Sequence, residues 1–204
     1  MPALLDQPGV DMKLLPFLSC AGLAMLVTGC HQAAAPKPPA AAESPAPAMP
    51  RPQASLIELM SGVVAPTADL IWGAVGSTEG PKGPVEMKPT TDKDWAELRQ
   101  RVMLLAEAAN LLAVPGRHVL LPGQKLANPA GPGDLKPEEA EARIKAEWPA
   151  FLAFAQTLQN AALATVKTVD ARDLDAFTEA GGAIDEACEQ CHKRFWYPDA
   201  PTPP

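Results

Sequence analysis

The chain has 204 residues, 24 of them Pro and four Cys, with a formal net charge of −7. That length suits one ordinary domain plus appendages. The mild acidity, the absence of any Lys/Arg block and the scarcity of aromatics argue against nucleic acid as a partner.

The first segment reads as an address label. Met12-Lys13 opens a short basic region, Leu14 to Val27 is mainly apolar, and Thr28-Gly29-Cys30 closes the stretch with small residues before a cysteine. Asp6 and Asp11 precede it, so translation is expected to start at Met12. The ending resembles the lipobox of bacterial lipoproteins, which implies removal of residues 1–29 and acylation of Cys30. The alternatives are a transmembrane helix, for which the apolar stretch is short, and an ordinary cleaved leader. Residues 30–54 form an Ala/Pro-rich tether with almost no large apolar side chain. Fully extended, its length allows about 70 Å between a lipid surface and the following domain.

The folded domain is expected over 55–197, with a disordered tail at 198–204. Its first helix should open at Ser55, where Glu58 completes a capping box. Leu56, Met60, Val63, Val64, Thr67 and Ile71 then recur at helical spacing. Pro66 should kink or split this helix. Gly80-Pro81-Lys82-Gly83-Pro84 reads as a solvent loop. The second helix has Thr91 as N-cap, Asp94 at the third position, an apolar stripe of Trp95, Leu98, Val102, Leu105, Ala109 and Leu112, and a stop at Pro115-Gly116. From Arg117 to Lys136 no period is sustained. A connection that long is expected to cover something.

The third helix should begin at Pro137 and run, kinked at Pro149, to Val169, with Leu158, Ala162 and Val166 on its packing face. Two separate pieces, the first ending near Trp148, are the alternative. Asp170 should cap the fourth helix, on which Leu174, Phe177, Ile184, Cys188 and Cys191 share a face. No strand of convincing alternation appears. The fold class is therefore all-α, read as a bundle of four helices with a cofactor between them.

Cys188-Glu189-Gln190-Cys191-His192 is a C-x-x-C-H run, the attachment signature of a c-type haem. Two thiols three residues apart can each add to one vinyl group, while the adjacent imidazole meets one axial face of the iron. Once the leader is removed and Cys30 is acylated, Cys188 and Cys191 are the remaining thiols. A disulfide or dithiol site is the competing reading, but a thioredoxin-like site needs a βαβ context that is missing. Zinc would need further ligands, with only His118 or His31 to complete the set.

The run lies on the last of four helices, about twelve residues from the chain end. Together with Leu174-Asp175-Ala176-Phe177, Ala180-Gly181-Gly182-Ala183-Ile184 and Phe195, this placement resembles the class II cytochromes c, the cytochrome c prime family. Glu58-Leu59-Met60 through Pro66 and Asp69-Leu70-Ile71-Trp72 is similar to a subgroup of it. The resemblance implies an antiparallel four-helix bundle with one covalent haem c, thioethers at Cys188 and Cys191, and His192 as the proximal iron ligand. Trp196 departs from the family, which commonly has a basic residue four positions after the histidine. Met60 is the candidate distal iron ligand, and methionine ligation raises the potential. Its competing reading is a core methionine. Met103 reads as core and Met87 as a loop residue. His118 and Arg117 read as solvated loop residues, and Trp72, Trp95, Trp148 and Phe177 as core and haem-pocket packing. For Gly181-Gly182 a close approach and a plain irregularity both stay open.

The expected function is electron transfer on the periplasmic face of a bacterial membrane, through a lipid anchor, to redox partner proteins of the respiratory chain or periplasm. The alternative is a five-coordinate haem protein that binds nitric oxide or carbon monoxide. No acid/base pair, nucleophile constellation or phosphate loop is visible, so no enzymatic activity is expected. The family resemblance also implies a possible homodimer through the first two helices.

Overall fold

A computed structural model of the chain describes residues 51–128 and 131–198. The expected leader, Cys30, most of the tether and the tail beyond Pro198 lie outside the described residues. No described helix is long and apolar enough to cross a membrane.

Helix α1 (Leu56–Leu59) is capped as its sequence predicts: the Glu58 N–H donates to the Ser55 hydroxyl, and the Ser55 N–H donates to the Glu58 carboxylate. A π-helical turn over Met60–Val64 follows, and α2 (Ala65–Trp72) continues the rod. Pro66 explains the wide turn. An α-helix would need a residue-66 N–H to bond the Gly62 carbonyl, and the proline has none and crowds that carbonyl. The turn widens instead, and the Ala65 N–H donates to the Met60 carbonyl, five residues back. The element is thus a continuous rod with a bulge. Its buried residues are Leu59, Val64, Thr67, Ala68 and Ile71. Leu59 enters the core unannounced, and Leu56, Met60 and Val63 are only partly buried.

Two short strands correct the expectation of none. β1 (Gly76–Gly80) and β2 (Gly83–Met87) pair antiparallel, with Gly80 opposite Gly83 and the predicted turn at Pro81-Lys82 between them. Both faces of the hairpin are largely exposed, so its residues carry no alternation. Gly80 is required there: a Cβ would fall 2.8 Å from Val85 Cγ2 and 3.1 Å from the Gly83 carbonyl.

Helix α3 (Asp92–Leu112) follows its forecast, with a Thr91–Asp94 capping box and the whole predicted stripe buried. Among the described residues the connection to the next helix carries no helix or strand. What it covers is the start of α1. The His118 and Val119 carbonyls accept the Leu56 and Ile57 N–H groups, and Arg117 donates to the carbonyls of Ala54 and Leu111. Arg117 is therefore a partly buried strut and not a solvated side chain.

The expected single kinked third helix is two elements, α4 (Pro137–Ala146) and α5 (Trp148–Ala171), broken at Glu147 (φ −115°, ψ 32°). Pro149 sits in the first turn of α5, where its missing N–H leaves no bond unmade. The forecast face of Leu158, Ala162 and Val166 is buried. A second correction concerns the cap of α6 (Leu174–Phe195): Asp173 accepts the Ala176 N–H, while Asp170 pairs with Arg99 at 2.7 Å. Helix α5 runs two residues further than expected, and Arg172 takes the left-handed conformation that ends it (φ 56°), a role usually filled by glycine.

Helix α5 packs along both α3 and α6, and α2 touches α3 and α6. The core between them includes Ile71, Leu98, Leu105, Ala162 and Ile184, all nearly inaccessible. The described residues are mostly helical.

Glu141 on α4 locks the long connection in place. Its carboxylate accepts the Val119 N–H at 3.0 Å and pairs with His118 and Lys145. Burial alone would raise this carboxyl, but Lys145, the Val119 N–H and His118 outweigh it and hold it at about 2, below the ordinary 4.5. The contribution is therefore full above the unfolded value and is lost as pH falls through the folded one. The Tm difference between wild type and Glu141→Gln is expected to be largest above about pH 5 and to close toward about pH 2, as measured by circular dichroism.

Candidate haem site

Helix α6 sets one wall of the site. Phe177, Gly181, Ile184, Ala187 and Phe195 are buried along it. Helical spacing from that stripe brings Cys188, Cys191 and His192 to one cavity of about 290 Å³. The rod of α1, the π-turn and α2 adds Met60, Val64, Ala65, Ala68, Asp69 and Trp72 as a second wall. Helix α5 contributes Phe151, Phe154, Ala155 and Leu158, and α3 reaches in with Leu112. The structure thus brings Cys188, Cys191, His192 and Met60 together. Met87 on β2 is 37 % exposed and lies outside the cavity, and Met103 packs against the core.

Aromatic packing stiffens the α5 side. Phe151 stacks on Trp148 with centroids 5.5 Å apart, and Phe195 meets Phe151 and Phe154 edge-on at 5.4 and 5.9 Å. Trp95 and Phe177 are buried, as packing residues should be, whereas Trp72 is 39 % exposed although it also lines the cavity.

The two thiols are free, not joined in a disulfide. Burial, with Asp185 as a lesser cause, pushes the Cys188 thiol up to about 11. Burial and the neighbouring Cys188 push Cys191 up to about 12. Thiols held protonated in this way lack the thiolate character of a dithiol redox site. Burial also lowers the His192 pKa, against a smaller opposing effect of Glu189. A neutral imidazole is the form that ligates iron. Among the described residues no group of three or more His, Cys, Asp or Glu could hold a bare metal ion.

Beside His192, Tyr197 escaped the sequence reading. Tyr197 lies with its ring centroid 5.8 Å from that of His192, and its hydroxyl donates to Glu189. Burial and the Glu189 carboxylate both raise the Tyr197 pKa. The one tyrosine of the chain, five residues past the histidine, was the available signal. Trp196, where a basic residue is common in the family, closes the helix end: its N–H donates to the His192 carbonyl and its own carbonyl accepts the Leu135 N–H at 2.7 Å. Lys193 and Arg194 pair with Glu189 and Glu147. His118 is exposed, paired with Glu141 and outside the cavity.

The donor set fits haem. Two thiols one helical turn apart, a neutral imidazole beside them and a thioether on another wall converge on a cavity lined mainly by apolar side chains. These features define a helical c-type haem protein. Residues 124–196, about a third of the chain, match the family model described as Cytochrome C', and this part of the chain is similar to that family. The match takes in Cys188, Cys191 and His192 and stops short of Met60, Trp72 and α3. Searches of curated proteins and of solved structures returned no significant match.

Phe151 is 5 % exposed and shared between core and cavity. Phe151→Ala is expected to lower the unfolding free energy by about 3–5 kcal/mol, read from the denaturant midpoint of the holoprotein.

Proposed function

We propose that this protein is a lipid-anchored, periplasm-facing electron carrier that transforms no substrate. Its domain is an antiparallel four-helix bundle, and it carries one covalent haem c. The observation that carries the reading is the convergence of Met60 with Cys188, Cys191 and His192 on a single apolar cavity. When bound, the haem supplies a one-electron Fe(III)/Fe(II) couple.

The chain's own residues do the rest. Cys188 and Cys191 anchor the macrocycle through thioethers, and His192 presents a neutral imidazole as the proximal ligand. Met60 supplies a soft sulfur, which favours the reduced state and raises the potential. Phe151, Phe154 and Leu158 exclude water, which keeps the surroundings of low polarity and limits reorganisation. Cys30 carries the acyl anchor after removal of the leader, and the Ala/Pro-rich tether gives the domain reach toward redox partners of the respiratory chain or periplasm. The mostly helical architecture and the cytochrome c prime family match support the reading.

Three measurements test it. The ferric holoprotein is expected to show the weak near-infrared band of methionine-to-iron ligation, and Met60→Ala should abolish it. A five-coordinate high-spin spectrum in the wild type would replace electron transfer by the binding of nitric oxide or carbon monoxide. Replacing Cys188 and Cys191 together by Ala should leave no acid-stable haem on a denaturing gel, whereas the wild type retains it. Cys30→Ala should move the protein from the membrane to the soluble fraction and stop labelling by a fatty-acid analogue; unchanged partitioning would remove the anchor.

A further inference from the structure

Trp72 is the last residue of α2 and lines the cavity of Cys188, Cys191 and His192. The same indole is 39 % exposed, so it is a wall with solvent on its far side. It also lines a second cavity of about 250 Å³, shared with Val75, Phe177, Thr178, Gly181 and Gly182. One hydrogen bond latches it: the indole N–H donates to the Gly181 carbonyl at 3.1 Å.

The two glycines lie in the interior of α6, where each lowers helix stability by about 1 kcal/mol relative to alanine. Sterics do not demand them. A Cβ on Gly182 would meet nothing within 4 Å, and one on Gly181 would touch Trp72 Cδ1 at an ordinary 3.7 Å. Neither has a positive φ. What their missing side chains provide is empty volume beside the indole.

We propose that Trp72 is the size-selecting gate of the haem cavity: its indole swings from the Gly181 latch into the notch above Gly181-Gly182, admitting small uncharged ligands such as diatomic gases and excluding bulkier ones. The notch receives the ring, so opening needs no movement of a helix. The proposal rests on the reading of the main cavity as the haem site.

The test compares bimolecular rate constants for carbon monoxide and n-butyl isocyanide binding to the ferrous holoprotein at subsaturating ligand. Their ratio cancels any step that first frees the iron, Met60 dissociation included, because both ligands share it. Trp72→Ala should lower the ratio of carbon monoxide to isocyanide by about tenfold, and Trp72→Phe, which keeps a ring but loses the latch, by about threefold. Gly182→Val fills the notch and should slow both ligands, the isocyanide more. Independently of ligand binding rates, the Trp72 indole ¹⁵N signal of the carbon monoxide-bound form should show microsecond-to-millisecond exchange that Gly182→Val removes. A ratio unchanged within about twofold in both Trp72→Phe and Gly182→Val overturns the gate, whether or not Trp72→Ala folds. A wild-type protein without a c-type pyridine haemochrome overturns the haem reading instead.

Discussion

The packing of α5 between α3 and α6 is the constraint on which the rest of the domain depends. Phe151, Ala155, Leu158, Ala162, Val166 and Val169 form a buried stripe along α5, and each partner helix presents its own stripe to it. The small residues in the stripe allow helices to approach closely, while its N-terminal end carries the bulky Phe151. At that end Phe154, Ala155 and Leu158 share their exposure between core and cavity. There the rings of Phe151 and Phe154, each meeting Phe195 edge-on, form the α5 side of the cavity. Site and core are therefore one packing problem: a substitution on α5 alters both.

Much of this was legible from local chemistry. The capping boxes at Ser55 and Thr91, the α3 stripe and the wall formed by Cys188, Cys191 and His192 follow from spacing along a single helix, which tertiary structure does not change. The failures share a physical cause. The end of α5 is set by Arg172 in a left-handed conformation, and arginine gives no sign of it, so the cap shifts to Asp170 in a reading of the sequence. The hairpin faces solvent on both sides, which leaves its strands without a hydrophobic period. The α4–α5 break depends on whether Pro149 falls in a first turn or an interior one, and only the fold decides that. Arg117 and Tyr197 act through contacts whose partners come from another element or another turn.

The environment of His192 shows the same division. Its neutrality comes from burial, a property of the assembled helices, whereas its place beside two thiols is a property of five consecutive residues. Lys193 and Arg194, the nearest cations in sequence, are spent on Glu189 and Glu147. The ring's immediate aromatic neighbour is Tyr197, held by its hydroxyl against Glu189. A phenol anchored by a carboxylate thus stands close to the histidine, in a chain whose residue 196 is a tryptophan.

The π-turn at Met60–Val64 also sets the angular phase of the first rod. With about 100° of rotation per residue, Met60 and Trp72 would point some 120° apart around an unbroken α-helix. A wide turn absorbs one residue, and the two side chains then align to within about 20°. That is how Met60, Val64, Ala68 and Trp72 all reach one cavity. Removing a single residue between Met60 and Pro66 would restore regular winding and still leave Met60 and Trp72 within about 20° of each other, whereas regular winding of the full sequence would turn Met60 away from the face that Trp72 occupies.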